Sequence, residues 1–344
     1  MIRTAILAGI VLSGSLARAG EISRELRTFF TDQIGLSGNE IRAVAQGTVV
    51  AKMLPSRTPA EIFVFGAVFV NATPEEYVKL AFNVNVLRKL PNYLGIGRIS
   101  DRPALFDLEG FTLEPEDIRS LKDCRPGKCE VQLPAESMQQ LQKTVDWTSP
   151  NAATQINGWL RKMAIDFLQR YQKSGNSVLL TYRDKDRPFD VSAQLQSWLG
   201  RSKALPIYLP ELNRYLLDYP KAKPANVESL FYWEKVDFGL KPTLRLNHAM
   251  AFRPTGLKEP ACVVAVKQLY ASHYFQFALD LTACVTGRGP ANGKGFYLIS
   301  LKGSTQQGLT GIRGSLLRKI VVSKTHSAQE KALIGIKRAL ESRR

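Results

Sequence analysis

Three histidines, scattered carboxylates and four cysteines are the side chains in this 344-residue chain that could carry chemistry. His248 lies between Leu246 and Met250 on one face of a strand-like run, as a hydrogen-bonded core residue or as a polar group lining a cavity. His273 falls at a turn between Tyr270 and Tyr274, where an imidazole serves as a base or simply occupies the turn. No histidine pair has metal-ligand spacing, so no metal is expected. Asp107 and Glu109 share a face if extended, as glycosidase carboxylates do. Glu114-Pro115-Glu116-Asp117 reads more simply as the acidic first turn of a helix. There is no Gly-x-Ser-x-Gly, which removes the nucleophile-elbow hydrolases. In the glycine-rich run 287–295, Arg288 stands where a phosphate loop needs its first glycine and Gly295 where it needs Ser or Thr. Gly95-Ile96-Gly97 lacks a third glycine, and no cofactor is expected.

The cysteines fall in two close pairs. Cys124 and Cys129 bracket Pro126-Gly127, a turn dipeptide that brings their flanks together. Cys262 and Cys284 are symmetric about residue 273, so a hairpin folding back at 271–273 sets them opposite each other. Both pairs are read as disulfides, given the leader described next. That hairpin would show Val263, Ala265, Leu269, Phe275, Phe277, Leu279 and Leu281 on one face. Val264, Val266, Tyr270, Tyr274, Asp280 and the cysteines would share the other.

Residues 1–19 begin with Arg3, continue with an apolar run from Thr4 to Leu16, and end Ala17-Arg18-Ala19. This is the pattern of a secretory signal peptide, so an exported protein, periplasmic or secreted, is expected. No later run is long and apolar enough to span a bilayer, and the mature chain should be soluble. The net charge of +17 favours anionic partners. In an exported chain these are lipid headgroups or acidic polymers, and nucleic acid is not expected. Basic residues concentrate from Arg313 to Arg344, where Leu317, Ile320, Val321, Ala328, Ala332, Ile336 and Leu340 recur at three and four. That segment is an amphipathic helix with a basic outer face, either solvated or in peripheral contact with an anionic membrane surface.

The elements that must position these residues can be read in outline. After a mixed segment (20–58), Glu61–Val70 is a strong strand, and Thr73-Pro74-Glu75-Glu76 is a capping box opening a helix to about Arg88. Strands are predicted at 94–99, 104–108, 130–133 and 178–182, with helices at 135–145, 152–172, 193–199 and 209–217. Strands at 229–238, 243–252, 263–270, 274–285 and 295–302 then precede the basic helix. The fold class is α+β: an antiparallel sheet, a long C-terminal helix, and a helical insertion at about 134–228 within a domain over 59–344.

This order, with the opening around Val70-Asn71-Ala72-Thr73-Pro74-Glu75-Glu76, resembles the helix-grip fold of START-like proteins. The resemblance implies a curved sheet wrapping the terminal helix over a lipid-sized cavity. The chain is also similar to a set of uncharacterised exported bacterial proteins through Cys124-Arg125-Pro126-Gly127-Lys128-Cys129, Tyr232-Trp233-Glu234-Lys235, the run 238–242 and the run 271–275. That likeness implies no particular activity. The expected function is binding of an apolar or amphipathic, lipid-like ligand, with Arg245, His248, Tyr270 and Tyr232 as polar anchors. The alternatives are an exported hydrolase using His273 or a carboxylate on lipid or glycan, and an envelope interaction protein.

Overall fold

The computed structural model describes residues 22–89, 92–202, 204–255, 260–290 and 293–342. The signal segment read at 1–19 lies outside them. The strands are β1 (Val50–Leu54), β2 (Glu61–Val70), β3 (Tyr93–Ile99), β4 (Thr181–Tyr182), β5 (Phe189–Asp190), β6 (Val227–Val236), β7 (Thr243–Phe252), β8 (Cys262–Ala271), β9 (Phe275–Arg288) and β10 (Lys294–Gln306). The helices are α1 (Arg24–Thr28), α2 (Gly38–Ala45), α3 (Pro74–Ala81), α4 (Val84–Leu87), α5 (Pro115–Ser120), α6 (Ala135–Thr144), α7 (Ala152–Ser174), α8 (Val191–Arg201), α9 (Ala204–Tyr208), α10 (Pro210–Asp218) and α11 (Gly311–Glu341). No described helix is long and apolar enough to cross a membrane.

Eight strands form one antiparallel sheet in the order β1-β2-β10-β9-β8-β7-β6-β3, with β4 and β5 a separate two-residue ribbon. Both faces are covered, which is why β2 is apolar at nearly every position. Side chains alternate between the two faces. The back face carries Phe63, Phe65, Ala67 and Phe69 of β2. It packs against α1, α2 and the π-helical turn at Phe29–Ile34 at one end, and against the helical insert at the other. The front face carries Val68 and Val70, and here Tyr77, Val78 and Leu80 of α3 meet Leu333 and Leu340 of α11. The capping box at Thr73 is formed, with Glu76 accepting from the Thr73 backbone at 2.7 Å.

The terminal helix runs along β2. Arg318 donates to the carbonyl of Glu61, and Lys337 donates to that of Phe69. Gly66, midway, leaves room for Leu333 and Gln329. The architecture is thus α+β with a large antiparallel sheet and a long C-terminal helix, but the sheet is neither closed nor strongly curled. Its edges are β1 and β3, and α11 is hydrogen-bonded both to the Ala51 carbonyl of β1, from His326, and to the Gly239 carbonyl at the β6–β7 turn, from Lys324.

Two expected strands are absent. Residues 105–108 form a 3-10 turn, because the Asp107 carboxylate accepts from the Ala104 backbone and the Ser100 hydroxyl and curls the chain locally. Residues 130–133 form no ladder. They dock on the β8–β9 turn through Gln132, whose backbone donates to Ser272 O and whose amide donates to Ala271 O and Phe275 O.

Candidate functional site

Strand parity separates the four expected anchors. Glu234 pairs with Arg245, Tyr232 with Asn247, and Asn247 with Gln268, so all five belong to the front face. His248 pairs with Phe231 and Lys267 on the back face. Tyr270 joins it there, because a bulge between Leu246 and Asn247 shifts the register and turns it over. A second bulge, at Thr305/Gln306, brings Phe275 to the front, where its ring lies 5.5 Å from the Arg245 guanidinium. Tyr270 and Phe275 therefore occupy faces opposite to those expected.

The back-face group is closed. His248, Lys267 and Tyr270 are fully buried under the insert. His248 Nδ1 lies 3.2 Å from the Tyr171 hydroxyl, and burial pushes its pKa well below the ordinary value, with Lys267 adding to the effect. They pack against the insert's apolar cluster, and His248 Nε2 and the Tyr270 hydroxyl are buried without a protein partner.

His273 is also buried, at 4% exposure, rather than displayed at the turn. Its Nε2 lies 2.8 Å from Asp117 Oδ2 and its Nδ1 lies 3.1 Å from the Glu130 carbonyl oxygen. Both ring nitrogens therefore face an acceptor within the protein rather than solvent. The residue ties α5 and the segment at Glu130 to the β8–β9 turn.

The front face holds the candidate site. At one end its floor is apolar: Cys262, Cys284, Val264, Phe296 and Leu298, closed by α3 and the C-terminal half of α11. At the other end it is polar. Arg245 forms an ion pair with Glu234 at 3.1 Å. Tyr232 and Tyr93 stand beside them, and Asp280 and Lys302 face each other across β9 and β10. Burial is the largest single influence on Arg245 and opposes its charge, but Glu234, Tyr232, Asp280 and Tyr93 together outweigh it and raise the pKa. Burial pushes the Asp280 carboxyl above its usual range, with Lys302 and Arg245 only partly offsetting it.

This patch is open. Asp280, Lys302, Tyr232 and Arg245 sit away from the sheet edges, yet all keep partial exposure. Above them no α11 residue between 315 and 328 is fully buried. Arg245 Nε, both amide atoms of Asn247, Gln268 Oε1 and both amide atoms of Gln329 are buried without a protein partner. Polar atoms so placed are satisfied by water or a ligand. The result is a front face beside α11 that grades from apolar to polar. Two other depressions, of about 410 Å³ at Glu75, Asn226, Glu228 and Arg253 and about 500 Å³ along Asp166–Lys173, lie away from it.

Of the expected anchors, Arg245 and Tyr232 are therefore brought together and His248 and Tyr270 are not. Tyr93, Glu234, Asn247, Gln268 and Lys302 were missed. Their signal is polar residues two apart in otherwise apolar strands: 232/234, 245/247 and 280/282.

Cys124 and Cys129 form a disulfide. Cys262 and Cys284 are directly opposed, as their symmetry about residue 273 predicts, but both thiols are free and buried. Directly opposed Cβ atoms sit about 4.5–5.5 Å apart, whereas a disulfide needs about 3.8 Å, so bridging requires the strands to close up. Among the described residues no group of three or more His, Cys, Asp or Glu is placed to hold a metal.

No family model matches this chain and no curated protein matches it significantly. Function has to be argued from the site itself.

Proposed function

We propose that the chain is an exported binding protein that holds an amphipathic, lipid-like ligand in the front-face cleft, in the manner of START-like proteins. The observation that carries this reading is the graded floor, with apolar side chains at the α3 end and a solvent-reached Arg245–Tyr232–Asp280–Lys302 patch at the other. An apolar tail along the first and a polar head on the second would satisfy the atoms that now lack partners. Export is part of the proposal; the Cys124–Cys129 bridge is of the kind that persists in oxidising compartments.

The test is native mass spectrometry of protein purified from its own host, with titration of a fluorescent fatty acid. Saturable binding is expected, weakened about tenfold or more by Arg245→Met, as for loss of a charged hydrogen bond. Tyr232→Phe should weaken it less. A protein that carries no small molecule and shows no saturable binding overturns the reading. One observation favours a second reading: a carboxyl with raised pKa in an open cleft is what a general acid requires, and Asp280 is one. A hydrolase of lipids or glycans would lose turnover in Asp280→Asn while still binding substrate.

A further inference from the structure

The terminal helix turns apolar residues outward where a terminal helix should be polar. Ile312 is 95% exposed, Leu316 67% and Ile320 48%, and their spacing of four sets them in one stripe along the first turns of α11. Of the apolar residues expected to bury this helix only Leu340 is fully buried, joined in the C-terminal half by Leu333, which was not among them. Around the stripe the charge is of one sign. Arg313 and Lys319 are exposed on its two flanks, Lys324 reaches back to the Gly239 carbonyl, and no Asp or Glu occurs from Gln307 to Gln329. Acidic residues return only at Glu330 and Glu341.

A solvated face gains nothing from three large aliphatic side chains, and no acidic residue of the helix segment complements the cations beside them. An apolar stripe edged by lysine and arginine matches an anionic bilayer, where the aliphatic groups enter the headgroup boundary and the cations meet lipid phosphates. We infer that the N-terminal half of α11 docks the protein on a membrane surface rich in anionic lipid, with Ile312, Leu316 and Ile320 inserted and Arg313 and Lys319 at headgroup level. This stands apart from the cleft, since it uses the opposite side of the helix.

The experiment is co-sedimentation of the full chain with vesicles of phosphatidylcholine alone or with about one third phosphatidylglycerol. Wild type and variants share the apolar N-terminal run, so differences between them report α11. Wild type should bind the anionic vesicles and lose binding as salt rises from about 0.05 to 0.5 M. Leu316→Gln should weaken binding about tenfold. Arg313→Gln with Lys319→Gln should weaken it about 25-fold, near fivefold per charge. These residues are exposed, so the variants should melt with wild type. Arg245→Met should leave vesicle binding unchanged, which separates failure here from failure of the cleft. Binding that neither variant alters overturns the inference, as does no binding to anionic vesicles at low salt. A wild-type dimer by light scattering that Leu316→Gln makes monomeric also overturns it, because the stripe is then a self-association face.

Discussion

Lys267 offers the sharpest test of the back-face core. Its side chain is fully buried, donates to Asn176 Oδ1 at 2.7 Å, and lies 5.0 and 5.3 Å from the rings of Tyr171 and Tyr219. Burial pushes its pKa from 10.5 down to about 7. That gap corresponds to about 5 kcal/mol, good to roughly 1.4 kcal/mol. Above pH 10.5 neither the folded nor the unfolded chain protonates the amine, and there is no cost. As pH falls from there to about 7, the unfolded chain takes up a proton that the folded one refuses, so stability declines by about 1.4 kcal/mol per pH unit. Below about 7 the full cost is present and constant. Lys267→Met removes this dependence but leaves Asn176 Oδ1 without its donor, at about 1–3 kcal/mol. The variant should be more stable than wild type by about 2–4 kcal/mol at acid pH and less stable at about pH 10, the two curves crossing between. Urea unfolding followed by tryptophan fluorescence measures this, because titrations common to both chains cancel in the difference. Between pH 7 and 9 that difference should change by about 2 kcal/mol, because the slope is only half its full value at the folded pKa. Profiles parallel within about 0.5 kcal/mol would refute the reasoning and show that the amine keeps its charge in the fold.

Three further perturbations probe the scaffold. Cys124→Ser with Cys129→Ser should lower stability by about 2 kcal/mol, the loop-entropy value for so short a ring, read from chemical denaturation against wild type. Gly66→Val places a Cβ 2.5 Å from Leu333 Cδ1 and 2.7 Å from Gln329 Nε2. It should cost about 2–3 kcal/mol and open α11 to trypsin, seen as early cleavage at its lysines. Glu61 accepts from Trp198 Nε1 at 3.0 Å and Arg201 Nη2 at 2.8 Å; although burial raises its pKa, those bonds outweigh it and the net shift is downward. Glu61→Gln should destabilise by about 2 kcal/mol at pH 7. The difference should shrink as pH falls through the depressed folded pKa, because stability from a lowered carboxyl pKa is lost there.

Much of the fold is legible because its signals are local. The β2 run and the Thr73 capping box state their structure within ten residues, and β7 matches the expected strand residue for residue. The symmetry of Cys262 and Cys284 about His273 likewise fixed a register, since a hairpin pairs residues equidistant from its turn. The residues at 104–108 and 130–133 failed for a different reason. Strand propensity is realised only where an edge offers partners, and both segments found side-chain hydrogen bonds instead, at Asp107 and Gln132.

The site was half legible, and the missing half depends on parity. Reading Arg245 and His248 as neighbours ignores that three residues along a strand reverse the face. Placing Tyr270 with the cysteines counts residues correctly but across a bulge, and an extra residue in one strand changes every parity beyond it. No single-sequence signal marks that bulge. The polar alternation was nonetheless present in the central strands. In a sheet covered on both faces, Arg245, Asn247, Asp280 and Thr282 each incur a desolvation cost unless water or a ligand meets them. Spread over both faces, they would be isolated defects. Gathered on the front face beside a helix whose first half buries little, they form one polar patch reached by solvent at Arg245 and Asp280, and it is their shared parity that distinguishes it from a core with scattered polar residues.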